Sequence, residues 1–490
     1  VLFNSIEFAI FLPAVFIIYW LIPDYKFKLQ NIWLLFASYF FYGWWDWRFL
    51  ILLICLTMIN YFIGLGISGT EKKASRKAYL IAGLVLDIGI LCIFKYFNFF
   101  ISSFLDLLSL FGYSHSWSSL RIILPLGISF YVFLSLSYIL DIYKKNIDAS
   151  RDVINVLLSL SFFPIILAGP IQRPSSLLPQ ISKQRQFSYN SAVDGLRQIL
   201  WGLFVKMAIA DNIGPDADGI FANAGDSSGS TLLLGIVLYT LQIYADFSGY
   251  SNIAIGTAKL LGFNLMRNFA YPYFARDITE FWRRWHISLT TWFRDYVFLP
   301  LSFSISWRIK KEKVLSIRSD HFIYIAASIL TWFLTGLWHG ASYSFIIWGL
   351  FNGFFLILYH ILAKGRKRLF KKLAINNNGF FIVFFETLLT LVIVMVAWIF
   401  FRTSGLENAI AYISGILSPS LFTFPDVFPV KTILLAALFI VVEWFQRDKE
   451  HALQLENVRF RFLRWSAYIA CIFIIMFLGG GYQRFIYFQF

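Results

Sequence analysis

Apolar runs close to twenty residues long recur along this chain, separated by short connectors that carry most of its charge. Examples are 79–99, 230–244, 342–362 and 379–401. A hydrocarbon core of ~30 Å is crossed by a helix of about twenty residues at ~1.5 Å each, so each run predicts a crossing or nearly one. Residues 6–22 form another such run. No basic stretch precedes it and no small-residue cleavage site follows, which predicts a retained first helix rather than a signal peptide. Two stretches fit the alternation badly. Residues 153–170 lie between basic connectors on both sides and end in Gly-Pro-Ile, and residues 266–300 are aromatic but dense in Arg, Asp and Glu. Both are predicted to be re-entrant, because broken or charged chain at membrane depth needs surrounding protein or a water-filled cavity. The pattern as a whole predicts an all-α, polytopic integral membrane protein. It comprises about eleven or twelve transmembrane helices plus the two re-entrant pieces, in a single domain spanning 1–490. No pair of matching halves is visible.

Orientation follows from the connectors. Lys364, Arg366, Lys367, Arg368, Lys371 and Lys372 form the densest basic cluster, with others at 72–77, 308–318 and 447–461. Basic connectors are retained on the cytoplasmic side, so these are placed there. The connectors 99–120, 212–229 and 403–430 lack Lys and Arg and are placed outside, as is the N-terminus. Composition agrees with immersion in lipid. With 59% hydrophobic residues and only 14% charged, the chain holds more apolar surface than a soluble domain of its length could bury. The net charge of +15 would otherwise suggest nucleic acid, but its location between apolar runs argues for membrane topology instead. Cys55, Cys92 and Cys471 stand far apart in apolar sequence with neither disulfide nor metal spacing.

Three constellations carry candidate chemistry. In Glu280-Phe-Trp-Arg-Arg-Trp-His286-Ile-Ser-Leu289, helical spacing places Trp282, Trp285, His286 and Leu289 on one face. Glu280 lies one turn from Arg283 and Arg284 and can offset part of their charge. The arginine density suits a phosphate-rich ligand, although an interfacial helix with tryptophans at headgroup level would show the same composition. In Thr335-Gly-Leu-Trp-His339-Gly-Ala-Ser342, a helix starting near Phe322 has only about fourteen residues before Gly336, or ~21 Å. That predicts a break within the membrane, with His339 flanked by Gly336 and Gly340. An intramembrane imidazole is a candidate proton acceptor; the bland alternative is a histidine hydrogen-bonded between helices. Asp246-Phe-Ser-Gly-Tyr-Ser-Asn252 puts a carboxylate and hydroxyls inside an apolar run, as helix–helix glue or as part of a cavity. His115, His321, His360 and His451 receive no role. No metal-ligand spacing and no phosphate-binding glycine loop is present.

At these residues the chain resembles the membrane-bound O-acyltransferase (MBOAT) superfamily, in the branch of bacterial alginate and peptidoglycan O-acetyltransferases. The resemblance runs from Leu2-Phe-Asn-Ser through Pro125-Leu-Gly-Ile-Ser-Phe-Tyr131 and Ala168-Gly-Pro-Ile-Gln-Arg173. It continues through the three constellations and closes at Phe485-Ile-Tyr-Phe-Gln-Phe490. Asn252, Asn352 and Leu-Ser-Phe-Ser after Pro300 depart from the expected pattern. The resemblance implies the MBOAT fold in a bacterial inner membrane, His339 as catalytic base and His286 as a second active-site residue. His286 would orient the acyl group or stabilise charge; a covalent acetyl-histidine relay is the minority version. Acetyl-CoA is the implied donor, with Arg283 and Arg284 candidates for its phosphates. A thioester is already activated, so no metal is required. Implied partners are the bilayer, a cell-surface polysaccharide acceptor and a separate periplasmic or extracellular hydrolase-like transferase; nucleic acid is not among them. The alternatives are D-alanyl transfer to teichoic acid and a polysaccharide or lipid exporter without acyltransferase chemistry.

Overall fold

The computed structural model describes residues 2–113, 120, 122–167, 169–309, 311–314, 316–374, 376–456 and 458–486. His115, Ala168, Lys310 and the closing residues 487–490, all named above, lie outside these. The described chain is helical apart from a two-residue antiparallel pairing, Lys313–Val314 with Ile317–Arg318. Seven helices are long and apolar enough to cross a membrane, or eight if the pair Ile6–Leu21 and Asp24–Gly43, bent by 107°, counts as one span. This is fewer than the eleven or twelve expected, and the shortfall has a physical source. The apolar runs of the first half include the 16-residue helix Ile128–Tyr143 and two fragments, Val153–Ser161 and Phe163–Ile166, that meet at Phe162. None reaches the ~20 residues a crossing needs. Ile128–Tyr143 is buried almost all round, as suits a core helix.

The connectors expected to be loops are also largely helical. Lys73–Ser109 is one continuous helical run, Asp211–Ala222 is a helix, and Leu406–Ile416 another.

The chain forms two compact units, 1–203 with 250–266, and 204–249 with 267–490. In the first, the buried Arg185 is held by neutral partners rather than an acid. Its guanidinium donates to Asn31 Oδ1 (2.6 Å), Tyr19 OH (2.6 Å) and the Ile181 carbonyl (3.0 Å). Distributing one charge over several carbonyl-type acceptors is how a guanidinium tolerates burial without a counter-ion. Gly127, at φ +70°, starts Ile128–Tyr143 where a Cβ would collide with the Ile166 carbonyl.

The second unit contains the 266–300 stretch. It holds the short helix Ile278–Arg284 and, after the turn at His286, a continuous helical run from Ile287 to Arg308 that passes through a wide turn at Arg294–Phe298. Neither of these is among the helices long and apolar enough to cross a membrane. Two long helices follow, Ser319–His339 and Tyr343–Lys372, packed side by side.

Candidate active site

His286 does not lie on a continuous helix face. The helix Ile278–Arg284, capped by the Asp277 carboxylate on the Glu280 N–H (2.9 Å), ends before Trp285. His286 adopts φ +41°, and a new helix starts at Ile287. The reason is competition for backbone hydrogen bonds. Ala270 donates to the Arg284 carbonyl, and Ile287 donates to the Asn268 carbonyl, each at 2.9 Å, so the 268–270 segment takes groups a helix would have used. Trp282, Trp285, His286 and Leu289 are nonetheless all buried, brought inward by a turn and not by a shared stripe.

The turn leaves His286 beside a residue the sequence reading passed over. His286 Nδ1 lies 3.0 Å from Asn268 Oδ1, which also accepts from Ser288 Oγ at 2.9 Å. Asn268, His286 and Ser288 are all buried. Burial holds the imidazole well below its ordinary pKa, so the ring is neutral at physiological pH. Phe247 and Phe269 pack on the ring at 4.6 and 6.3 Å.

His339 is the last residue of Ser319–His339, a 21-residue helix. The expected break at Gly336 is absent, and ~31 Å of helix is enough to cross, so helix length does not place His339 at mid-membrane. Gly336 serves a different purpose. A Cβ there would collide with the Phe345 carbonyl, and a Cβ on Gly349 with the Trp332 carbonyl, so these glycines let the two long helices touch backbone to backbone. Gly340 begins the short turn to Tyr343, packed on the Phe345 ring.

The two histidines are joined by an aromatic side chain. The Trp338 ring lies 6.2 Å from that of His286 and 4.7 Å from that of His339. Trp348 (4.7 Å) and Phe401 (5.2 Å) close on His339 from the neighbouring helices, and Trp398 bridges Trp348 to Trp285. Two buried imidazoles thus share one aromatic enclosure built from three helices and the His286 turn. Trp348, Trp398 and Phe401 had no local signal, because an aromatic in an apolar run looks the same whether it faces lipid or a site.

The arginines part company. Arg284 pairs with Glu280 at 2.5 Å. Glu280 in turn lines a charged hollow of about 390 Å³ with Arg276, Arg366, Lys367 and Glu386. Arg283 is exposed, makes no ion pair among the described residues, and lines a separate cavity of about 230 Å³. Arg294, Trp282, Trp332, Ser328, Thr331 and Thr335 line it as well. Trp282 connects it to the enclosure, packing on Trp348 at 5.7 Å. Neither histidine lines it. Among the described residues no three His, Cys, Asp or Glu side chains are grouped to hold a metal ion.

Comparison with known proteins decides what this arrangement belongs to. The description of the MBOAT, membrane-bound O-acyltransferase family matches residues 149–406, a span that contains both histidines. A probable alginate O-acetylase of Azotobacter vinelandii is 35% identical over 448 residues, covering 90% of this chain and 84% of the relative. The chain belongs to the membrane-bound O-acyltransferase family. A peptidoglycan O-acetyltransferase of Helicobacter pylori is 32% identical, covering 85% and 80% of the two chains. A teichoic acid D-alanyltransferase of Bacillus subtilis is 28% identical over 50% of this chain and 60% of its own.

In this acyltransferase, a multi-pass protein of the bacterial inner membrane, the Asp246 constellation is structural. Asp246 forms an ion pair with Lys206 at 2.7 Å, and Lys206 also pairs with Asp211 at 2.6 Å and donates to the Gln483 carbonyl at 3.1 Å. The Ile486 N–H donates to Asp246 at 2.7 Å. Asn252 accepts from Gln198 at 3.0 Å, and Asn352 donates to the Trp348 carbonyl at 2.8 Å behind the enclosure. Of the histidines given no role, His360 stacks on Tyr324 and meets the ring of His321 edge-on, near the start of Ser319–His339.

Proposed function

We propose that this chain moves acetyl groups from acetyl-CoA across or into the membrane for O-acetylation of a cell-surface polysaccharide, with His339 and His286 in the reacting centre. The observation that supports it most is the pair of buried imidazoles that both pack against Trp338. Acyl transfer from a thioester needs little more. As the hydroxyl oxygen bonds to the acetyl carbon its proton passes to a base, the tetrahedral oxyanion collapses, and the carbon–sulfur bond breaks with the proton ending on the departing sulfur. His339 acts as the base and His286 as the orienting partner. Arg283, with Arg294, offers the donor's phosphates an entry beside the hydroxyl-lined cavity, since guanidinium pairs phosphate well and Arg283 is exposed. The broken stretches 153–170 and 266–300 enter the membrane without crossing it. The relatives named for alginate and peptidoglycan support a polysaccharide acceptor, and a separate hydrolase-like transferase outside the membrane completes delivery to the polymer.

The test is donor use by the purified protein in lipid nanodiscs. Labelled acetyl should be released or transferred from free acetyl-CoA and not from a D-alanyl carrier protein. The reverse pattern would mean D-alanylation, and inertness toward both would point to an exporter.

A further inference from the structure

Asn268 holds the His286 turn by its main chain and its side chain together. Its backbone carbonyl accepts the Ile287 N–H at 2.9 Å. Its Oδ1 lies 3.0 Å from His286 Nδ1, 2.9 Å from Ser288 Oγ and 3.4 Å from the Ser288 backbone nitrogen. With Ser288 Oγ also 3.4 Å from Nδ1, these contacts point to where a proton sits. A backbone N–H can only donate, so the side-chain atom facing Ser288 is the amide oxygen and not the amide NH₂. An amide oxygen can only accept, so the hydrogen between Asn268 and His286 is carried by Nδ1. A neutral imidazole has one N–H, and its other nitrogen, Nε2, then bears the lone pair. Burial of all three residues keeps water from competing for these bonds. The left-handed backbone at His286 makes the ring's direction depend on this clamp rather than on a helix.

We infer that Asn268 is a positioning residue for the transfer reaction, fixing His286 as the Nδ1–H tautomer so that it meets the acceptor through Nε2 as a hydrogen-bond acceptor. The inference rests on the acyltransferase reading with His286 in the reacting centre. A neutral ring in this tautomer cannot donate from Nε2 to a tetrahedral oxyanion. Charge stabilisation from Nε2 therefore drops out as a role for His286, and an orienting role remains, which Nε2 exerts by accepting an O–H of the acceptor.

The tautomer can be read directly. In protein labelled with ¹⁵N-histidine in lipid nanodiscs, solid-state NMR should show His286, assigned by its loss in H286Q, protonated on Nδ1 and bare on Nε2. N268L, which is similar in size and has no acceptor, should lose that preference, while N268D should keep it. In the acetyl-CoA transfer assay N268L should lower kcat by roughly 10²-fold, with KM for acetyl-CoA unchanged and with N268D restoring most of the rate; a misoriented catalytic tautomer elsewhere costs up to ~10⁴-fold. A wild-type His286 protonated on Nε2 overturns the inference, as does full activity in N268L when H286Q is inactive. Full activity in H286Q removes His286 from the reaction instead, and the NMR spectrum of the wild type still decides the tautomer.

Discussion

Substituting His339 separates a proton acceptor from a packing residue. H339A should lower acetyl transfer by on the order of 10²-fold or more while the protein still accumulates in the membrane, because general-base catalysis contributes that much. H339Q, which keeps a hydrogen bond but cannot take a proton, should be nearly as inactive; substantial activity in H339Q would make the residue structural. The arginines predict a contrast. Arg283 is exposed at a cavity, whereas Arg284 is already engaged by Glu280. R283A should therefore raise KM for acetyl-CoA by roughly tenfold, the value of one charge-assisted hydrogen bond, and R284A should change it little. Equal effects would mean that the Glu280 pair opens when donor binds. Both histidines were legible in the sequence, because an imidazole between tryptophans or glycines in an apolar chain is conspicuous. Asn268 was not, because its importance comes from a carbonyl and an amide oxygen meeting a turn eighteen residues away.

Between helices, the contact that matters most is the glycine seam joining Ser319–His339 to Tyr343–Lys372. It holds Trp338 and His339 against Trp348, so the enclosure depends on how closely the two backbones approach. G336V should separate them, at a cost of about 1–3 kcal/mol for overpacking a tight contact. A lower melting temperature in detergent together with reduced activity is the expected result. An unchanged melting temperature would show that the seam is slack. Glycine was read from the sequence as a weakness in the helix, and here it is a means of approach. A sequence shows that a side chain is missing, not what has moved into the space. The same limit explains His286, where helical spacing grouped four residues on one face and the chain buries all four by a turn instead.

Over the whole molecule, the apolar pattern identified a polytopic helical membrane protein, while the number of spans was overestimated. An apolar run of sixteen residues reads as a crossing in sequence, but it can equally form a core helix covered by other helices, as Ile128–Tyr143 does. The structure nonetheless sharpens a topology test. Between 212–229 and the Lys364–Lys372 cluster lie three long apolar helices, Gly229–Leu260, Ser319–His339 and Tyr343–Lys372. An odd number puts the two points on opposite sides, so compartment-sensitive reporters fused at each should give opposite signals. Matching signals would mean that one of the three fails to cross. The Lys206 cluster bears on how the molecule is made. Its ammonium is shared by Asp211 and Asp246, yet its contact with Gln483 spans 277 residues of chain. During synthesis the early members enter the bilayer long before the late segment has left the ribosome. For that interval a net negative, half-built cluster depends on the insertion machinery for shelter. This unit can seal only once that late segment has emerged, and chains truncated ahead of Gly479 should feed membrane proteolysis instead of yielding a dormant enzyme.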